Sequence, residues 1–99
     1  MQNWPIYNKK FDIILVTRFL NRLIFPKIIS SLKKDGYLIY ETFSQGHEKI
    51  GRPKNLDYIL KPKELLSLSK PLSLIAFEEA QSLNYYNPYI MQRILSKNV

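Results

Sequence analysis

Eight polar and aromatic side chains are the residues best suited to chemistry. They follow two apolar runs or lie in the polar stretch after the second run. They are Thr17, Arg18, Phe19, Glu41, Thr42, Phe43, His47 and Arg52. A carboxylate or an imidazole can take a proton from a reacting group, so Glu41 and His47 are the candidate catalytic residues. The guanidinium of Arg52 can hold an anionic substrate group through two parallel hydrogen bonds.

Each of these side chains also has a purely structural interpretation. Glu41 can pair with Arg52 or Arg18, because a buried carboxylate without a partner would be costly. His47, the single histidine, lies in a polar stretch where it can be an exposed residue without a role. Arg52 can order its loop through a salt bridge, and Thr17 can be a hydroxyl at the end of a strand. Both interpretations stay open on the sequence alone.

The elements that must position these residues alternate between strand and helix. Apolar and β-branched runs predict strands at 11–17, 37–43, 72–79 and 89–95, and helical spacing predicts helices at 25–36 and 62–68. Pro26 fits the first turn of the longer helix, and Gly36 is expected to end it in the left-handed conformation. The run Ile13–Val16 is continuous, which is typical of a strand covered on both faces.

A strand, a helix and a second strand in succession form a βαβ unit, in which the two strands are parallel. Ligands of open α/β sheets bind outside the carboxyl ends of such strands, where Thr17 and Glu41 lie in this sequence. The long polar stretch at 44–60 follows directly, and loops of this length are usually functional. We therefore predict an α/β fold with about four strands, mostly parallel, and one antiparallel strand from the final hairpin.

Composition excludes several kinds of site. The 99 residues contain no cysteine and one histidine, which excludes disulfides, thiolate catalysis and cysteine-bearing or multi-histidine metal sites. The formal net charge of +7 invites a nucleic-acid interpretation, but the lysines are scattered and favour a solvated surface. A small basic α/β module that binds nucleic acid is the alternative. The sequence shows no targeting segment and no apolar run long enough to span a membrane, so a cytoplasmic protein is expected.

Three short phrases follow one another along the chain, namely Val16–Arg22 (VTRFLNR), Tyr40–Phe43 (YETF) and Gly51–Pro53 (GRP). They resemble the VTxYLxR, YETF and GRP phrases of a bacterial subgroup of class I S-adenosylmethionine-dependent methyltransferases. The resemblance covers residues 4–70, and the final strands agree with the family in pattern only. It implies that residues 1–99 are a partial methyltransferase domain, a carboxyl-terminal half with strands four to seven of a Rossmann-like sheet.

The same resemblance implies roles for the candidate residues. Thr17 and Arg18 would bind the cofactor S-adenosyl-L-methionine, and Glu41 or His47 would act on the methyl acceptor. The residues that would contact this acceptor are Phe19, Thr42, Phe43 and Arg52. The sequence does not identify the acceptor, and nothing in it selects oxygen, nitrogen, carbon or sulfur as the methylated atom.

The family binds its cofactor mainly through a glycine-rich turn after its first strand. None of the three glycines of this sequence (Gly36, Gly46 and Gly51) lies in such a turn. The resemblance therefore implies a truncated, split or decayed enzyme, with weak or no binding of S-adenosyl-L-methionine by this chain alone. The expected partner is a separate amino-terminal half, or a second copy that associates through an exposed strand edge.

Overall fold

The computed structural model describes residues 9–84 and 86–99. These residues form the strands β1 (Phe11–Thr17), β2 (Leu32–Phe43), β3 (Ser73–Ser82) and β4 (Tyr89–Lys97), and the helices α1 (Phe25–Ser30) and α2 (Glu64–Leu68). Single 3₁₀ turns occur at Arg22–Ile24, His47–Lys49 and Leu56–Tyr58. The predicted order of strands and helices is confirmed. None of the described helices is long and apolar enough to cross a bilayer.

The four strands form one mixed sheet in the order β1-β2-β4-β3. The β1–β2 pair is parallel, whereas β2–β4 and β3–β4 are antiparallel. The expectation of a mostly parallel sheet is therefore wrong, because two of the three strand pairs are antiparallel. As expected, β4 is the one described strand that runs in the opposite direction to the others. The reason is that the final hairpin returns β4 into the space between β2 and β3, so β4 has an antiparallel neighbour on each side.

The first helix is shorter than predicted, because the chain enters β2 earlier. Helix α1 ends at Ser30, and Leu32 already pairs with Phe11 of β1. The register then shifts, so that Ile13 pairs with Tyr37, and the left-handed residue in this irregular segment is Asp35 (φ 67°). Gly36 does not cap the helix. It lies so close to β1 that a Cβ atom there would be 2.9 Å from the Asp12 carbonyl oxygen.

The hydrophobic core lies on one face of the sheet, under the helices. Leu38 and Tyr40 of β2 are fully buried, and Ile94 of β4 is 2% exposed. The Phe25 ring of α1 stacks on the Tyr40 ring with a centroid separation of 4.9 Å. Side chains of a strand alternate between faces, so the residues between these core positions point to the other side of the sheet.

That other side carries apolar side chains that no described element covers, and we call it the open face. Ile13 and Leu15 of β1 are 61% and 63% exposed, and Ile39 of β2 is 39% exposed. Leu15 pairs with Ile39, and Ile39 pairs with Leu95 of β4, so the open face crosses three strands. The continuous apolar run of β1 is thus covered on one face only. As expected from the resemblance, β1 is an edge strand.

One buried polar atom of the core provides a test of the packing. The Ser96 hydroxyl on β4 is buried and has no hydrogen-bond partner among the described residues. We expect Ser96→Ala to leave the free energy of unfolding unchanged, or to raise it by up to about 1 kcal/mol, because an unsatisfied polar group is removed. Urea unfolding followed by far-ultraviolet circular dichroism measures this change.

Ser69→Ala is the matched control, because the buried Ser69 hydroxyl donates a hydrogen bond to the Leu65 carbonyl oxygen at 2.7 Å. Its removal should cost about 1 kcal/mol. Equal destabilisation by the two substitutions would mean that the Ser96 hydroxyl has a partner.

Candidate functional site

The parallel pair β1–β2 brings the predicted site residues to one end of the sheet. Thr17 pairs in register with Glu41, so the two strands end side by side. A cleft of about 670 Å³ opens beyond these ends, and four of the predicted residues line it: Arg18, Phe19, Thr42 and Phe43. Loop residues 53, 57 and 58 form part of the opposite wall. This volume falls in the range of small-molecule sites.

Arg18 leaves β1 in a constrained conformation that directs its side chain over the end of the sheet. Its φ is 54°, in the left-handed region that non-glycine residues seldom adopt. Its backbone N–H donates a hydrogen bond to the Glu41 carbonyl oxygen at 2.8 Å. Its guanidinium carbon lies 5.9 Å from the centre of the Phe43 ring. Thr17, one residue earlier, is exposed at the strand end.

Glu41 forms an ion pair, but with neither of the arginines expected. Its carboxylate accepts a hydrogen bond from Arg93, its cross-strand neighbour on β4, and Arg93 also bonds Glu78 of β3 at 2.8 Å. The expected pairing with Arg18 or Arg52 is wrong, because β4 lies beside β2 and supplies a closer guanidinium. Glu41 also points to the opposite face of β2 from Thr42 and does not line the cleft.

His47 is 3% exposed, so the expectation of an exposed side chain is wrong. Its Nδ1 accepts a hydrogen bond from the Ile90 N–H at 3.1 Å, so Nε2 carries the ring proton and donates it to the Arg52 carbonyl oxygen at 3.0 Å. Its ring also stacks on Phe43, with centroids 4.0 Å apart. Gly51 permits this close packing, since a Cβ atom there would lie 3.1 Å from Nε2. Both ring nitrogens are therefore engaged by the backbone.

Arg52 lies beside a second, smaller cleft of about 230 Å³ that adjoins the first. Arg18 and Phe43 line both clefts, whereas His47 and Arg52 line only the smaller one. The Arg52 guanidinium has no ion-pair or hydrogen-bond partner in the part of the chain that the structure describes. The loop-ordering salt bridge considered from the sequence is not present there.

Arg22 is a positioning residue that the sequence analysis missed. It contributes to the wall of the larger cleft, and its guanidinium bonds the Glu64 carboxylate at 2.5 and 2.9 Å. It also donates to the carbonyl oxygens of Asp57 and Ile59, both at 2.9 Å. The hydrogen bond from Arg22 holds the pKa of Glu64 below its usual value. One side chain thus fixes the loop that faces the strand ends.

Gln92 is a second positioning residue without an obvious sequence signal. It is fully buried on β4, where its carbonyl oxygen accepts from the Leu65 N–H at 3.1 Å. Its amide nitrogen donates to the Ser44 hydroxyl and to the Lys61 carbonyl oxygen at 2.9 and 2.6 Å. Gln92 therefore joins the start of the polar loop, its end, and α2 to the sheet.

A scan against protein-family models finds no match, and no curated protein matches the sequence. Solved structures do match the fold. TehB from Haemophilus influenzae gives a TM-score of 0.71 at 15% identity, over 93% of this chain and 37% of TehB. A SAM-dependent methyltransferase from Methanosarcina mazei gives 0.70 at 14% identity, over 98% of this chain and 63% of that protein.

The N-methyltransferase NodS from Bradyrhizobium japonicum WM9 gives a TM-score of 0.68 at 12% identity, over 96% of this chain and 55% of NodS. NodS also matches in its complex with S-adenosyl-L-homocysteine. The chain thus spans between 37% and 63% of the length of these three structures. The fold therefore resembles part of the fold of class I SAM-dependent methyltransferases.

Proposed function

We propose that this chain is the carboxyl-terminal half of a SAM-dependent methyltransferase domain, with strands four to seven of the family sheet. The observation that supports this most directly is the coverage. Nearly all of this chain superposes on methyltransferase structures, and it accounts for 37–63% of their lengths. In this proposal, methyl transfer requires an amino-terminal half that supplies the glycine-rich turn.

The sheet itself supports the need for such a partner. The open face exposes Ile13, Leu15 and Ile39, and no strand among the described residues pairs with the outer side of β1. Burying one large apolar side chain is worth about 1.5–3 kcal/mol, so a partner that covers this surface gains substantial free energy. We propose that the amino-terminal half pairs with β1 and covers the open face. Without it, the chain associates with itself or is only marginally stable.

The residues present suit only one end of the methyl donor. S-adenosyl-L-methionine supplies a methyl group on a sulfonium centre, and we propose that Thr17 and Arg18 lie beside its methionine end. Phe19, Thr42 and Phe43 would form the wall against which the acceptor packs. Because both His47 ring nitrogens and the Glu41 carboxylate already have partners, we propose that both residues support the site and that any proton acceptor comes from elsewhere.

The test is calorimetric titration of S-adenosyl-L-methionine into this chain, alone and with a glycine-rich amino-terminal half. Missing two polar contacts at about 2 kcal/mol each weakens binding roughly a thousandfold, so no binding should be detected for the chain alone. The added half should restore binding, and Arg18→Ala should then weaken it about tenfold. Lys49→Ala, which removes an exposed charge from the loop, should have no effect.

Two results would contradict the proposal. One is tight binding of S-adenosyl-L-methionine by the 99 residues alone. The other is a monomer of the isolated chain with a cooperative and high thermal midpoint, since the open face would then need no cover. Affinity for single-stranded RNA that falls steeply with salt would instead support the nucleic-acid-binding alternative.

A further inference from the structure

The four arginines of the sequence fall into two classes in the structure. Arg22 pairs with Glu64, and Arg93 pairs with Glu41 and Glu78. Arg18 and Arg52 have no carboxylate partner among the described residues, and both line the smaller cleft. Two unpaired guanidinium groups at one cleft are notable in a protein that pairs its other arginines.

The framework that carries these two arginines is well fixed. The Arg18 backbone is tied to β2 through the Glu41 carbonyl, and its guanidinium lies over Phe43. Phe43 in turn stacks on His47, which is bonded to the Arg52 carbonyl oxygen. The Phe43–His47 stack therefore lies between the backbone segments that carry the two arginines. The backbone positions of both arginines are therefore fixed before a ligand binds.

The charge around the smaller cleft favours an anion. Its described lining contains Arg18, Arg52 and the amide residue Asn87, and no aspartate or glutamate. A guanidinium presents a planar fork of N–H donors that matches the oxygens of a carboxylate or a phosphate. The larger cleft, which shares Arg18 and Phe43, has a mixed lining. Phe19, Leu20, Pro53 and Tyr58 lie beside the polar residues Asn21, Arg22, Thr42 and Asp57.

We propose that Arg18 and Arg52 form a subsite for an oxyanion, namely a carboxylate or a phosphate group of a ligand that also occupies the adjoining larger cleft. That this ligand takes part in methyl transfer rests on the proposed function, whereas the oxyanion subsite itself rests on the two arginines. The same chemistry could be satisfied by the carboxylate at the methionine end of the donor. An anionic group of the methyl acceptor is the second source, and aromatic acids and free methionine, used as probes, distinguish the two.

The experiment is an NMR titration of the chain in which backbone amide and arginine side-chain N–H signals are followed. The probes are benzoate, phenyl phosphate, inorganic phosphate, free methionine and, as an uncharged control, benzyl alcohol. The anionic probes should shift the signals of residues 18, 43 and 52. Tighter binding of benzoate or phenyl phosphate assigns the subsite to the acceptor, and tighter binding of methionine assigns it to the donor. Benzyl alcohol should not bind measurably.

Variants separate a specific site from general attraction to a basic protein. Arg18→Ala and Arg52→Ala should each weaken benzoate binding about tenfold, since a hydrogen bond to a charged group is lost. Lys49→Ala removes the same charge from the same loop outside the cleft and should leave the affinity unchanged. The amide spectra of all variants show whether the fold is retained.

Three results would overturn the inference. They are equal losses in Lys49→Ala and the arginine variants, equal binding of benzyl alcohol and benzoate, and shifts that avoid both clefts. These measurements use neither methyl donor nor amino-terminal half. A failure here would leave the proposed half-domain intact, and a failure to restore donor binding would leave the oxyanion subsite intact.

Discussion

Gln92→Leu is expected to lower the free energy of unfolding by about 3 kcal/mol or more, although leucine is similar in size and more apolar. The substitution removes the partners of the Leu65 N–H, the Lys61 carbonyl and the Ser44 hydroxyl. Gln92 is fully buried, so water cannot easily replace these bonds. Each buried polar group left unsatisfied costs about 1–3 kcal/mol. Urea unfolding followed by circular dichroism gives the loss directly.

Gln81→Leu is the matched control for this substitution. Gln81 lies on the neighbouring strand β3 and is exposed, so its replacement should change stability by less than about 0.5 kcal/mol. Gln92→Glu retains an acceptor for the Leu65 N–H but loses both donor bonds, and it should also be strongly destabilising. A Gln92→Leu protein as stable as the Gln81→Leu protein would disprove the role assigned to this side chain.

Arg22→Ala is expected to lower the free energy of unfolding by about 2–4 kcal/mol and to release the loop that faces the strand ends. The Glu64 side chain is only 15% exposed and would lose its cation, and the Asp57 and Ile59 carbonyls would lose their donors. The Arg22 side chain is 33% exposed, so solvent screens its ion pair in part. The lower end of the expected range, about 2 kcal/mol, allows for this screening. Arg22→Lys should recover only part of the loss, because a lysine cannot form the same fork.

The Arg22–Glu64 pair also predicts a dependence on pH. Its hydrogen bond lowers the pKa of Glu64 in the folded state, so the stabilisation is present above the unfolded value of about 4.3. It is lost as the pH falls through the lower folded value. Stability of the parent protein should therefore fall more steeply below about pH 4 than that of Arg22→Ala. Arg52→Ala, which removes an arginine that forms no ion pair with any described residue, should keep the parent slope.

The parts of the fold that local pattern determines were predicted, and the parts that depend on distant contacts were not. The strands and helices follow from apolar spacing that each segment carries itself. Glycine is typical of helix ends, which is why the sequence predicts one at Gly36. Pairing of Leu32 with Phe11, however, starts β2 before that point. The sheet contact thus overrides a local signal, and Gly36 serves the close approach of two strands instead.

The same distinction applies to the site. Arg18 and Phe43 reach one cleft because they follow parallel neighbouring strands, which the βαβ pattern predicts. The burial of His47 depends on Ile90, a residue 43 positions later, and the partner of Glu41 depends on where β4 enters the sheet. Neither can be read from spacing alone, because both require the strand order.

The central place of β4 has a consequence for how the polypeptide acquires its structure during synthesis. Strand β3 pairs with β4 and with no other described strand, so it has no sheet partner when it leaves the ribosome. Its apolar residues Leu74 and Ile75, half exposed even in the folded protein, are then available to chaperones. Strand β3 can join the parallel β1–β2 pair only after β4 has been synthesised. The described sheet therefore cannot form gradually along the chain, because β4 must be present before β3 can join the β1–β2 pair.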